Sequence, residues 1–262
     1  MALVEYAESD GVAVLTLNRA GKRNAISDTM MAELSLAVDR AAAGGAKAAV
    51  IRANGDHFCA GLDLAEQSGK DLMQGIAGSR AWHGVFTKMQ RGSVPYVAAL
   101  KGAVIGGGLE LAAAAHIRVA EPDTFFAMPE GQRGIFVGGG GSVNITRLMG
   151  VARMTDMMLT GRTYQARDVE RFGAVNYIAE AGLGFDKAME LALTIAGNAP
   201  LSNYVTINAL QRIHDSGYDE GLFFETMIAS LTQTTPEAVE RMRAFVEKRA
   251  ERLNIPTGEA TE

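Results

Sequence analysis

The chain has 262 residues, of which 48% are apolar and 21% charged, and its net charge is −5. Those proportions fit a globular protein with a sizeable core, and they give no basic surplus for nucleic-acid binding. A single cysteine, Cys59, excludes an internal disulfide framework and fits a reducing compartment.

Residues 1–10 carry acids and no cationic stretch, so no secretory leader is expected. Residues 12–17 read as a strand and 28–43 as an amphipathic helix, with Met31, Leu34 and Val38 at helical spacing and Gly44-Gly45 ending it. Strands follow at 48–52, 94–100 and 117–120, separated by helical patterns, which predicts α/β units with parallel pairing. The apolar stretch 94–120 is not a membrane span, because Lys101, Glu110, His116 and Arg118 interrupt it. From about residue 141 the pattern is helical: 143–149, 154–160, 165–172, 185–198, 202–214, 218–232 and 236–253. The last has Pro236 at a first-turn position and an apolar stripe of Val239, Met242, Phe245 and Val246. That region carries more apolar stripe than one small core needs, which predicts self-association or packing back on the core. The tail after Asn254 is expected to fray.

Gly106-Gly107-Gly108-Leu109-Glu110-Leu111 follows a strand and opens an Ala-rich helix. Glycines there admit a ligand close to the backbone, and a helix N-terminus offers free N–H groups to a developing oxyanion. A plain turn would carry the same glycines. The small pair Ala60-Gly61 before Leu62 could add a second N–H, and a surface turn with an Asp cap is the competing reading. A larger side chain at position 107 is expected to face a pocket and leave folding intact. Glu110 and Glu130, the latter beside Phe125 and Phe126, would form a coupled acid/base pair if both faced one apolar pocket. Gly138 to Gly141 reads as a turn or as a pocket wall ahead of a helix. No metal-ligand spacing links His57, His83, His116 and His214. A Cys59–His57 nucleophile is conceivable, although a lone cysteine is more often a small buried hydrophobe.

Four segments in order resemble the crotonase superfamily, specifically its enoyl-CoA hydratases. They are Asn18-Arg19 with Lys22-Arg23-Asn24-Ala25, Phe58-Cys59-Ala60-Gly61-Leu62-Asp63-Leu64, residues 102–111, and Met128-Pro129-Glu130 with the glycine-rich loop after it. The resemblance runs from about Leu3 to Leu253. It implies an α/β spiral of ββα units over 1–195 and a helical C-terminal trimerisation region over 196–262, in homotrimers that pair into hexamers. It implies an acyl-CoA substrate with no separate cofactor and no metal. The thioester oxygen would be held by the N–H groups of Leu62 and Gly107. CoA would contact Arg23, Ala25, Ala60, Asp63, Leu64 and Lys248. Glu110 and Glu130 would be the catalytic acids of a hydratase, and residues 66–90 would line the acyl pocket. Asp56 and Ala65 stand where some members carry lysines. An enoyl-CoA isomerase and a hydroxycinnamoyl-CoA hydratase-lyase are the alternatives within the superfamily, and an RNA-binding relative is the non-enzymatic one. No membrane partner and a cytoplasmic location are expected.

Overall fold

The computed structural model describes residues 2–249. Strand β1 (Val4–Ser9), which the sequence reading did not anticipate, pairs antiparallel with β2 (Val12–Leu17) in the register Val4 to Leu17. The two residues between them, Asp10 and Gly11, both have positive φ (53° and 74°), as a tight hairpin of this hand requires. Helix α1 (Asp28–Gly44) starts where the Ser27 side chain accepts from the Met30 N–H, and Gly45 ends it with φ 78°. Next come β3 (Ala48–Ala53), the short α2 (Leu64–Gln67) and α3 (Leu72–Arg91), the last begun by a reciprocal Asp71–Gln74 capping box.

Strand β4 (Tyr96–Leu100) starts two residues later than expected. It is followed by β5 (Ala103–Ile105), α4 (Gly107–Ala114), β6 (Ile117–Ala120), β7 (Phe125–Ala127), α5 (Gly141–Met149) and α6 (Val151–Thr160). Then come β8 (Tyr164–Gln165), α7 (Ala166–Arg171), β9 (Tyr177–Ile178), α8 (Gly184–Ala196), α9 (Pro200–Asp215), α10 (Tyr218–Gln233) and α11 (Pro236–Val246). One sheet has the order β1-β2-β3-β4-β6-β9 and is parallel from β2 onward. A second sheet, β5-β7-β8, pairs β5 parallel and β8 antiparallel to β7. The α/β fold with parallel pairing is therefore as expected.

Both faces of the large sheet are covered, which is why its central strands read as unbroken apolar runs. On one face Leu15, Ile51 and Ala98 join Leu34, Val38, Phe86 and Met89 in the main core. On the other, Val12, Val50, Val97 and Val119 pack with Ala188, Ala192 and Ala196 of α8.

The chain divides into two compact units, Met1–Asn208 and Ala209–Glu262. In the second, α10 and α11 leave Phe223, Met227, Leu231, Met242, Phe245 and Val246 exposed. Helix α11 was expected to run to residue 253. It ends at Val246, because Lys248 turns left-handed (φ 56°) and the Arg249 N–H closes on the Ala244 carbonyl. The remainder of that expectation, and the tail, lie outside the described residues. Among the described residues no helix is long and apolar enough to cross a membrane.

Candidate active site

The segment before α2 is threaded between two others. The Cys59 N–H donates to the Ala103 carbonyl and the Ile105 N–H to the Cys59 carbonyl, both at 3.0 Å. On the other side the Ala60 N–H donates to Arg23, the Ile26 N–H to Gly61 and the Asp63 N–H to Ile26, at 2.7–2.9 Å. Gly61 has φ 96°, and a Cβ there would stand 2.8 Å from the Ile105 carbonyl oxygen, so only glycine passes at this crossing. The alternation leaves the Leu62 N–H without an acceptor among the described residues.

Gly107 is the first residue of α4, and its N–H also lacks an acceptor among the described residues. The two donors converge: a Cβ on Gly107 would lie 3.4 Å from the Leu62 nitrogen. Gly106 holds the turn into the helix with φ 51°, and a Cβ on it would meet Glu130 Oε1 at 2.6 Å. Position 107 faces a pocket as expected, but the expectation that a larger side chain there leaves folding intact is corrected. A Cβ there would stand 2.7 Å from the indole of Trp82, a residue the sequence reading passed over. Its one available signal was being the only tryptophan of the chain, on a helix beside an apolar pocket.

Glu110 lies in the first turn of α4 and Glu130 opens a short 3-10 turn, and both are buried. Glu110 Oε1 accepts from the N–H groups of Gly139 and Gly141, each at 2.8 Å. Burial raises its proton affinity and those amides pull it back, with a raised pKa as the net result. Glu130 is supported only by its own backbone N–H, and its Oε2 is buried without a hydrogen-bond partner. Burial, with a smaller push from the charge of Glu110, raises its pKa to about 7. The pair is therefore asymmetric: one carboxylate is held by two donors, and the other retains its proton more readily.

Leu62, Trp82, Gly107, Glu110, Glu130 and Gly139 all line one cavity of about 620 Å³, whose remaining wall comes from Gln67, Lys70, α3 and residues 135–138. The glycine loop is thus a pocket wall. It is anchored by Ser79 of α3, whose hydroxyl donates to the Gly138 carbonyl at 2.6 Å. A cleft of about 770 Å³ between α1 and α3 holds neither glutamate nor either free N–H.

Of the residues expected at CoA, Arg23 and Ala25 run beside Ala60, Asp63 and Leu64 through the hydrogen bonds above, and none of the five lines the cavity. Arg23 is exposed with φ 49°. The Asp63 side chain pairs with Arg19 at 2.7 Å and caps α2 through the Ala65 N–H. The Arg19 hydrogen bond holds its carboxyl below the usual range. Lys248 sits in the turn after α11, in the second unit. Asn24, which is fully buried, bonds the carbonyls of Asn54 and His57 at 2.9 Å and accepts from the Arg19 N–H.

The Cys59–His57 alternative fails on geometry. Burial drives the Cys59 thiol up to about 12, and its Sγ lies 3.1 Å from the Asn24 carbonyl. His57 Nδ1 accepts from the Ala103 N–H. Among the described residues no group of histidines, cysteines and acids could hold a metal.

The family model described as enoyl-CoA hydratase/isomerase matches residues 7–254. The short-chain-enoyl-CoA hydratase of Clostridium acetobutylicum is 30% identical, over 92% of this chain and 94% of its own. The 2,3-dehydroadipyl-CoA hydratase of Escherichia coli is also 30% identical, over 91% and 93%. The crystal structure of a provisionally named enoyl-CoA hydratase from Rhodopseudomonas palustris shares 48% identity, with a TM-score of 0.91 over 94% of this chain and 95% of that one. On sequence and fold together, the chain belongs to the enoyl-CoA hydratase/isomerase family of the crotonase superfamily.

Proposed function

We propose that the protein is a hydro-lyase that adds water across the 2,3 double bond of an enoyl-CoA to give a 3-hydroxyacyl-CoA. The observation that carries this is the meeting, in one cavity, of two unpartnered backbone N–H groups and two buried glutamates of unequal proton affinity. The thioester carbonyl sits on the N–H groups of Leu62 and Gly107, where negative charge develops as water attacks Cβ. Glu110, whose ionised form its two amides favour against burial, orients that water and takes its proton. The electron pair of the double bond moves into the enolate, and Glu130 delivers a proton to Cα. A proton returned from Glu110 to Glu130 through solvent restores the pair. CoA lies along Arg23, Ala25, Ala60, Asp63 and Leu64. It enters as part of the substrate, and the chemistry requires no other cofactor and no metal. The exposed apolar faces of α10 and α11 support assembly as a homotrimer or a pair of trimers. The absence of a membrane-length helix among the described residues is compatible with work in the cytoplasm.

The test is turnover of crotonyl-CoA, a 3-enoyl-CoA and feruloyl-CoA. Formation of the 3-hydroxy product from crotonyl-CoA supports the reading. Double-bond migration alone, or release of an aldehyde alone, replaces it with isomerase or hydratase-lyase activity.

A further inference from the structure

Leu72, Ile76 and Arg80 lie four residues apart on α3, and all three line the cavity. Residues at this spacing form one stripe, and helical side chains lean toward the N-terminus. Arg80, which is exposed, therefore leans toward the apolar turn of Ile76. Two other features isolate it. The neighbouring cation in the wall, Lys70, is neutralised by Asp28 at 2.6 Å. Arg80 itself has no ion pair or hydrogen bond among the described residues. Apart from Glu110 and Glu130, the wall contains no acid. An uncompensated guanidinium beside exposed leucine, isoleucine and Phe136 matches a ligand that is aliphatic along its length and anionic at its end.

We propose that the acyl group taken by this cavity ends in a carboxylate, held by Arg80, so that the substrate is the 2-enoyl-CoA of a dicarboxylic acid. This rests on the hydratase reading for where the thioester lies. The phosphates of CoA are the other anions at hand. None of the residues expected to contact CoA (Arg23, Ala25, Ala60, Asp63 and Leu64) lines this wall, and Leu62 between them enters it as the residue whose N–H meets the thioester, which argues for the acyl chain rather than the nucleotide beside Arg80.

The experiment compares saturated acyl-CoA thioesters of equal length, with and without a terminal carboxylate, by calorimetry on the wild type and Arg80→Gln. Binding of the carboxylated ligand is expected to be about 10–100-fold tighter in the wild type, the scale of a charge-assisted hydrogen bond. In Arg80→Gln that preference should fall to near unity, with the neutral ligand unchanged within about two-fold. The preference should survive in pantetheine thioesters, which carry no phosphate. Equal binding of the two ligands by the wild type would overturn the proposal. So would a loss in Arg80→Gln that affects both ligands alike and vanishes with pantetheine, since that assigns Arg80 to CoA. If the binding preference holds but no enoyl thioester is hydrated, the hydratase reading fails and the carboxylate site stands.

Discussion

The indole of Trp82 occupies the space that a side chain on Gly107 would need, with its ring atoms 2.7 Å from the position of a Cβ. Gly107→Ala must therefore displace a buried ring or tilt the start of α4. Overpacking of this kind typically costs about 1–3 kcal/mol. The same shift moves one of the two N–H groups proposed to hold the thioester oxygen, and loss of one such donor costs about 10²–10³ in rate. Gly107→Ala is expected to lower both the melting temperature and kcat/KM. Adding Trp82→Phe should recover part of the stability and little of the activity, because only the clash is relieved. Full activity in folded Gly107→Ala would remove this N–H from the mechanism.

Glu130→Gln should reduce kcat by about 10²–10⁴ while leaving thioester binding within a few-fold. It should also change stability, in a direction fixed by linkage. The folded pKa is raised from 4.5 to about 7, so between those values the folded protein keeps a proton that the unfolded chain has lost. Stability from this group falls as pH rises through that window and is lowest above it. Glu130→Gln should be more stable than the wild type at pH 8, by about 1–3 kcal/mol, and indistinguishable near pH 4. Denaturant melts at the two pH values decide this, and equal midpoints at pH 8 would mean that Glu130 is not held protonated.

His116 works in the opposite direction. Its Nδ1 accepts from the Tyr96 N–H and burial lowers its pKa from 6.5 to about 4, so it is neutral in the fold. Below pH 6.5 the unfolded chain binds a proton that the folded chain refuses, and stability falls with pH down to about 4. His116→Gln can still accept from Tyr96 and should flatten that acid limb. Because Glu130 and His116 have opposing slopes between about pH 4.5 and 6.5, the wild type should vary little there while each variant slopes visibly. Parallel pH profiles for wild type and His116→Gln would contradict this.

Iodoacetamide should leave native activity intact, since the Cys59 thiol is buried and stays protonated. Alkylation should become complete once the chain is unfolded in denaturant. Rapid inactivation of the native protein would restore the thiol as a participant.

The segments that supply backbone to the cavity were legible because their requirement is written locally: Gly61 and Gly106 sit where the chain must turn left-handed or be passed closely. The glutamates were legible as candidates, and only the fold brings them together. What escaped was tertiary. Nothing in the spacing of Ser79 and Trp82 indicates that one anchors Gly138 and the other fills the space over Gly107. The signature residues Asn24 and Asp63 were visible as a motif, yet their side chains are spent on Asn54, His57 and Arg19, partners about 30 to 44 positions away. Helix α11 was drawn too long because charged and apolar residues continue at helical spacing past Val246, and the stop is a backbone event at Lys248 that involves no glycine.

The two N–H groups that point into the cavity are attached to atoms with no other partner, so they are also reporters. In the unliganded protein the amide protons of Leu62 and Gly107 should exchange with deuterium far faster than those of Cys59 and Ile105, which are tied into neighbouring strands a few residues away. A bound thioester gives both of them an acceptor. Their resonances should then shift downfield together and become protected, while their tied neighbours barely move. Occupancy of the pocket becomes readable at two backbone positions, for any acyl group and without waiting for a product.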